Sequence, residues 1–340
     1  GISPMSLAQN IQNAWNKQAK WLVVLRPLSW LYRSGFVLNK KMFQSGLKEV
    51  YTAPIPVMVI GNITVGGSGK TPLLIQLVKY LQLKNVRVGV ISRGYGGKGP
   101  FPAQVNLDSV PSEVGDEPCL IVQSTEVAMV VGSNRRESIE LLIAHHSLDL
   151  IISDDGLQHW ALDRQIEWIV LDQNRGLGNQ KLLPEGFLRE PVERLQQGTV
   201  IEHSATPETV LHMHLEVAKP YLLNPRYDQA ELFDIHQDFY AVVGIGFPQR
   251  FYNTLESIGL TRFQCHEFAD HYDYEIEDIQ FEDANPIITT EKDAVKLLPL
   301  LKQHPDFNRE IWVVPVEAVL SQACYDLLDE QLTALGIDIS

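Results

Sequence analysis

The 340-residue sequence predicts an α/β protein with a doubly wound, mostly parallel sheet, and three observations carry that expectation. Short apolar runs alternate with helical stretches through most of the chain, as parallel strands joined by crossover helices require. A glycine-rich turn stands between the first central strand and the helix after it. A later apolar run ends in Asp154-Asp155, which a parallel sheet would deliver to its carboxyl edge, where ligands bind in such folds.

The chain opens with a basic segment. Residues 1–50 hold seven basic side chains against one acid, Glu49, a net +6, so the remaining residues carry −20 of the total −14. An acidic body argues against a nucleic-acid partner, and a basic start points to an anionic surface. Pro27 is favoured in a first helical turn, and a helix is expected from there. Leu28, Leu31, Tyr32, Gly35, Phe36 and Leu38 gather on one side of it, with Arg26, Arg33 and Lys40 on the other. Such a helix either lies in a membrane interface with its basic groups toward headgroups, or packs its apolar face on its own domain. The apolar run at 21–25 is cut by Arg26 and Pro27, too short for a cleavable signal or for the roughly 20 residues of a membrane span. Cys119, Cys265 and Cys324 are scattered, which predicts neither a disulfide framework nor a zinc site and fits a reducing cytoplasm.

Strands are predicted at 55–60, 86–91, 127–131, 148–153 and 166–172, with helices at 71–83 and 135–146. Residues 94–118 are rich in Gly and Pro and read as a long, functional loop. A further loop, 173–191, leads away from this core. The second half repeats the style, with strands at 239–246, 286–290 and 311–315 and helices near 250–258 and from Lys292. Three parts are therefore expected: an amphipathic membrane-associating segment at 5–45, a core at 46–205, and a smaller α/β domain at 206–340 that closes over the site.

The strongest local signal is Gly66-Gly67-Ser68-Gly69-Lys70-Thr71 between a strand and a helix. Glycines let the backbone wrap phosphates with its N–H groups inward, and the helix amino end adds favourable partial charge. The core thus reads as P-loop NTPase-like, with Thr64, Val65, Gly66, Gly67, Ser68, Gly69, Lys70 and Thr71 around a nucleotide's phosphates. Lys70 would reach the β- and γ-phosphates and Thr71 would meet Mg²⁺. Thr64 stands where the general pattern has glycine, so an accidental Gly-Lys-Thr turn is the competing reading. Asp154 or Asp155 would hold Mg²⁺, directly or through water. His212 and His214 alternate as on a strand face but lack further ligands for a metal.

Among phosphate-loop proteins, a GTPase should show Asn-Lys-x-Asp, which Thr290-Glu291-Lys292-Asp293 does not match. A dimeric partitioning ATPase has a lysine where Val65 stands. A kinase needs a base beside the acceptor hydroxyl. The segment Val59-Ile60-Gly61-Asn62-Ile63-Thr64-Val65-Gly66-Gly67-Ser68-Gly69-Lys70-Thr71-Pro72 closely resembles the tetraacyldisaccharide 4′-kinase family of lipid A biosynthesis. The resemblance continues through Ser92-Arg93-Gly94-Tyr95-Gly96, Gly115-Asp116-Glu117-Pro118, Asp154-Asp155-Gly156-Leu157-Gln158-His159 and Gly178-Asn179. It extends over Leu183-Pro184-Glu185-Gly186-Phe187-Leu188-Arg189-Glu190-Pro191, Phe268-Ala269-Asp270-His271 and Thr289-Thr290-Glu291-Lys292-Asp293-Ala294, and it includes Pro27-Leu28-Ser29-Trp30-Leu31-Tyr32.

The resemblance implies Mg²⁺-dependent transfer of the γ-phosphate of ATP to the 4′-hydroxyl of a tetraacylated glucosamine disaccharide 1-phosphate, giving lipid IVA. It implies a peripheral place at the cytoplasmic face of the inner membrane of Gram-negative bacteria, with no obligate protein partner. It makes Asp116 the base near the acceptor and His271 its partner, arriving from the second domain. By similarity Arg93, Glu117, Asn134, Arg135, Gln158, His159, Asn179, Arg189 and Glu190 contact phosphate or sugar, with structural ion pairs as the alternative. Lys292 is either a phosphate contact or a solvated lysine at a helix start. Two other classes remain in view: a membrane-recruited ATP-binding switch without a small acceptor, and a soluble small-molecule kinase.

Overall fold

The computed structural model describes residues 6–66, 70–223, 233–246 and 248–340. The chain begins with α1 (Leu7–Lys17), whose amino end Ser6 and Gln9 close with a reciprocal capping box. A short 3₁₀ turn (Lys20–Leu25) leads into α2 (Arg26–Gln44), with Pro27 in its first turn as expected. Then follow β1 (Val57–Gly61), α3 (Lys70–Leu83), β2 (Val88–Ser92), β3 (Ala103–Val105), α4 (Pro111–Val114), α5 (Asp116–Thr125), β4 (Ala128–Val131), α6 (Arg135–His145), β5 (Leu150–Asp154) and β6 (Ile166–Asp172). The chain continues through β7 (Thr199–His203), β8 (His212–Val217), β9 (Tyr221–Leu222), β10 (Phe239–Val243), α7 (Pro248–Ser257), β11 (Phe263–Glu267) and β12 (Ile287–Thr290). It ends with α8 (Glu291–Gln303), β13 (Ile311–Val314), β14 (Val316–Leu320) and α9 (Gln322–Ala334).

Among the described residues, the strands form a nine-stranded sheet, ordered β14-β8-β7-β6-β1-β5-β2-β4-β3, and a five-stranded sheet, ordered β11-β10-β12-β13-β9. The inner ladders of the large sheet are parallel, and only its edges, β3 on β4 and β14 on β8, run antiparallel. Both faces are covered. Alternate residues of β1 show why: Met58 and Ile60 enter one apolar cluster with Leu73, Leu77 and Leu81 of α3, while Val57 and Val59 enter another with Ile139 and Leu142 of α6. Strands β5 and β6 flank β1 on either side, all three parallel, so the order in which strands are added reverses there, where such sheets open a crevice at their carboxyl ends.

Two expectations change. The predicted loop at 94–118 carries β3, α4 and the start of α5, so Asp116 is the first residue of a helix. The predicted boundary at 206 does not follow the sheets: β8, β14 and α9 lie beyond it yet belong with the large sheet. The small sheet is an insertion between β8 and β14, and the chain returns from it to finish the core.

The N-terminal helix also differs in its facing. Tyr32 and Phe36 turn inward, whereas Leu28, Leu31 and Leu38 stay 52%, 70% and 61% exposed. The inward face carries Arg26, paired with Glu185 at 2.8 Å, and Lys40, 4.6 Å over the Trp160 ring. Arg26 and Lys40 therefore hold the helix to its own domain, and an apolar stripe with Trp21, Val24 and Trp30 faces outward. Among the described residues, no helix is long and apolar enough to cross a membrane.

Candidate active site

The site is built at the carboxyl edge of β1 and β5. As β1 ends, the buried Asn62 amide donates to the carbonyls of Thr64 (2.7 Å) and Gly66 (3.0 Å), shaping the turn. Arg175, which follows β6, donates to the Val65 carbonyl and packs its guanidinium over Phe187. Gly67, Ser68 and Gly69, the centre of the expected phosphate loop, lie outside the described residues. Lys70 and Thr71 open α3, where the helix amino end favours anions.

Register places Asp154 of β5 beside Ile60 of β1. Lys70 Nζ lies 3.6 Å from Asp155 Oδ2 and 4.0 Å from Asp154 Oδ1. The two carboxylates differ. Asp155 adopts a left-handed φ of 66°, a conformation rare for a residue with a side chain. Burial works to raise its carboxyl, but Lys70, Arg189 and the Gly156 N–H prevail and hold it near 2. Asp154 is buried, which lifts its carboxyl to about 6 despite Lys70, and its Oδ1 finds no hydrogen-bond partner among the described residues. A buried, unpartnered carboxylate oxygen beside a phosphate loop fits a hard divalent cation. Asp154 thus presents a free oxygen that would suit Mg²⁺, while Asp155 is already paired with Lys70 and Arg189.

Across the crevice, Asp116 is 4% exposed at the head of α5. His271 Nδ1 lies 3.1 Å from Asp116 Oδ2, so the expected pairing of these residues from the two sheets is present in the geometry. His271 also adopts a positive φ, 59°. The hydrogen bond to Asp116 raises its pKa above the usual imidazole range, with Asp270 and Glu117 adding to this against the opposing effect of burial. Gly96, at φ +82°, allows the approach, since a Cβ there would sit 2.8 Å from His271 Nδ1. Lys292 is partly buried and bridges Glu117 (2.9 Å) and Asp270 (2.8 Å), so Glu117 also serves the seam between the domains.

Several expected ligand contacts are occupied by the protein itself. Arg189 donates to Asn62 Oδ1 (2.7 Å) and pairs with Asp155 (3.3 Å). Glu190 is wholly buried, accepting from Gln158 (2.7 Å) and Arg194 (3.2 Å). Asn179 orders its own turn through the Glu185 carbonyl (2.9 Å), and Asn134 caps α6 by accepting from the Glu137 N–H (3.1 Å). Gln158, Asn134, Asn179, Arg189 and Glu190 thus each hold a turn or a neighbouring side chain of the protein. Arg93 and Arg135 remain as cations beside the aspartates, with a neutral His159 among them. Burial lowers the Arg135 guanidinium, whose Nε is unpartnered, and burial with Arg135, Arg164 and Arg93 pushes the His159 imidazole down to about 4.

The same loop ties the site to the N-terminus. Trp15 Nε1 donates to the Pro184 carbonyl (2.9 Å), Ser29 Oγ to that of Leu182 (3.0 Å), and Tyr32 OH to that of Arg189 (2.7 Å). Backbone bonds then run from Val65 N to Phe187 O (2.8 Å) and from Arg189 N to Ile63 O (2.6 Å). Sequence reasoning missed Lys296, which lies 3.6 Å from Asp116 Oδ2, and Arg175. Their signal was faint: Lys296 follows Lys292 by one helical turn, and Arg175 stands in a loop without a pattern of its own.

Comparison with known proteins bears on the family and the fold. The model of the tetraacyldisaccharide-1-P 4′-kinase family, LpxK, matches residues 21–333. The tetraacyldisaccharide 4′-kinase of Psychrobacter arcticus is 44% identical over 99% of this chain and 98% of its own. That of Pseudomonas syringae pv. tomato is 42% identical over 98% of this chain and 100% of its own. The crystal structure of the apo form of LpxK from Aquifex aeolicus in complex with ATP superposes with a TM-score of 0.75 at 26% identity, covering 93% of this chain and 99% of that one. With the fold, the motif order and the paired sequences in agreement over nearly the whole chain, the protein belongs to the tetraacyldisaccharide-1-P 4′-kinase family.

Proposed function

We propose that this protein transfers the γ-phosphoryl group of ATP to the 4′-hydroxyl of tetraacyldisaccharide 1-phosphate, giving lipid IVA at the cytoplasmic face of the inner membrane. Two observations carry the reading: Lys70 lies against the Asp154-Asp155 pair at the end of β5, and Asp116 at the head of α5 is paired with His271.

In this reading Lys70 and the backbone of the phosphate loop hold the β- and γ-phosphates in line with the acceptor. Thr71 and Asp154 would hold Mg²⁺, which would supply charge neutralisation to the phosphates. Asp116 accepts the proton of the 4′-hydroxyl as that oxygen bonds to the γ-phosphorus and the bond to the ADP oxygen breaks. His271 orients the carboxylate and offsets its charge. Arg93, Arg135 and His159 line the acceptor side, where anionic and sugar oxygens would meet donors. The outward apolar stripe of α2 seats the chain on the bilayer, which spares the acyl chains a transfer into water at about 0.8 kcal/mol per CH₂.

The test is an acceptor assay by mass spectrometry with Mg-ATP and detergent-dispersed disaccharide 1-phosphate. A product heavier by one phosphate is expected, lost in Lys70→Ala. Absence of product from the native chain, where the Psychrobacter relative succeeds in the same assay, would overturn the proposal.

A further inference from the structure

Asp116 receives two nitrogen groups from the second domain, and both approach the same oxygen. His271 Nδ1 lies 3.1 Å and Lys296 Nζ 3.6 Å from Oδ2. Among the described residues no donor reaches Oδ1. The Lys296 side chain is 4% exposed, an uncommon place for an ammonium group, since burying one is costly unless carboxylates surround it. Its second partner is Asp293 Oδ1 at 3.4 Å, and the Gly244 carbonyl lies at 3.5 Å. Asp293 does not depend on Lys296 for hydrogen bonds: the Gly244 N–H (3.0 Å), Tyr274 OH (3.0 Å) and Thr290 OH (2.7 Å) all donate to it. The ammonium is therefore not explained by the needs of the small domain alone. It lies between a fully satisfied buried carboxylate and the one across the seam.

We propose that Lys296 is a positioning residue for phosphoryl transfer, fixing Asp116 Oδ2 from the small domain so that Oδ1 faces the acceptor hydroxyl. The proposal rests on the reading of Asp116 as the base. A hydrogen bond from His271 and the ammonium charge of Lys296 on one carboxylate oxygen bias the rotation of the group about its χ2 axis, which the single hydrogen bond to a partly exposed histidine leaves soft. The remaining charges near Asp116, namely Glu117 on α5, Asp270 on the turn and Lys292 on α8, are paired with one another, so Lys296 is the further cation that reaches the carboxylate directly. Lys296 touches no reacting atom. Its effect is expected in turnover and not in nucleotide binding.

The experiment uses the full chain with Mg-ATP and dispersed acceptor, comparing Lys296→Met, Lys296→Met/Asp293→Asn and Asp116→Asn. The double variant keeps the small domain's charge balanced, so it is expected to fold even where Lys296→Met does not. Turnover should fall at least about tenfold in each Lys296 variant that folds, with KM for ATP and for acceptor within about twofold of the native chain. Adding Lys296→Met to Asp116→Asn should cause no further loss. Turnover within about threefold of native, a loss confined to KM, or failure of both Lys296 variants to fold would overturn the proposal. Full turnover by Asp116→Asn would overturn the base assignment instead, whereas its collapse beside an active Lys296→Met would overturn the role of Lys296 alone.

Discussion

Two histidines within one site are held in opposite protonation tendencies by their neighbours, and this makes their roles separable. His271 gains a carboxylate partner, and its pKa rises; His159 is buried among arginines, and its pKa drops to about 4. Between that value and the ordinary 6.5, an unfolded chain takes up a proton at His159 that the folded chain refuses, so folding stability falls as pH drops through this window. Replacement by His159→Gln should flatten this part of the stability-against-pH curve, measured by urea unfolding at several pH values. An unchanged slope would show that other groups set it. For His271 the sign is reversed, with its contribution complete below 6.5 and lost as pH rises through the elevated value. His271→Ala should lower turnover by about 10²-fold, in the range of a general acid–base group, with ATP affinity little altered. Equal losses in both quantities would instead mark a binding role. Lys70 and Asp154 stood out in the sequence by motif, and Asp116 and His271 by the family resemblance, because each sits at a fixed motif position. Lys296 was not, because a lysine on a helix gives no sign of whether it is buried.

At the scale of elements, the interior strands and their helices match the apolar runs closely, since a strand buried on both faces must be apolar throughout. β6, for instance, occupies the predicted residues 166–172. The short antiparallel edges β3 and β14 and the helix α1 left weaker marks, because an edge strand alternates or breaks its pattern and its pairing is set by distant chain. Amphipathicity alone could not say which side of α2 faces inward. Specific partners decided it: Glu185 for Arg26, Trp160 for Phe36, and the Arg189 carbonyl for Tyr32. The outward leucines then have no structural duty within the chain. Leu28→Glu/Leu31→Glu should leave the melting temperature within a few degrees of native, yet reduce co-sedimentation with anionic vesicles at least about tenfold, given roughly 1.5–3 kcal/mol for each buried leucine. Unchanged vesicle binding would move the contact surface elsewhere.

The molecule as a whole is a large sheet interrupted by a small one. β8 leaves the large sheet, the five-stranded unit folds, and β14 returns antiparallel beside β8 with Val316 opposite Val217. No local pattern announces that return, since it depends on pairing between strands separated by the entire insertion, and this is why a boundary at 206 was expected. The insertion is tethered at both ends and docks through α5 and α8. Its seam is electrostatic: Lys292 with Glu117 and Asp270, and Lys296 and His271 with Asp116. Lys292→Ala should leave Glu117 and Asp270 facing each other unneutralised and loosen this seam. Faster amide exchange in residues 267–272 and at the head of α5 is the expected result, with exchange inside β1 and β5 unchanged. Uniform exchange in all four regions would assign Lys292 no part in docking.

The stretch at 182–190 grips α1 and α2 from outside and the strand-to-loop turn at Ile63–Val65 from inside. Shearing off the first 44 residues would thus do more than remove an exposed apolar stripe: it would strip the backing from the turn that leads into the phosphate loop. A truncated chain beginning at residue 45 should lose ATP affinity as well as vesicle binding, which calorimetric titration in the absence of any lipid would reveal. Native affinity in that truncated chain would mean that the turn stands unaided.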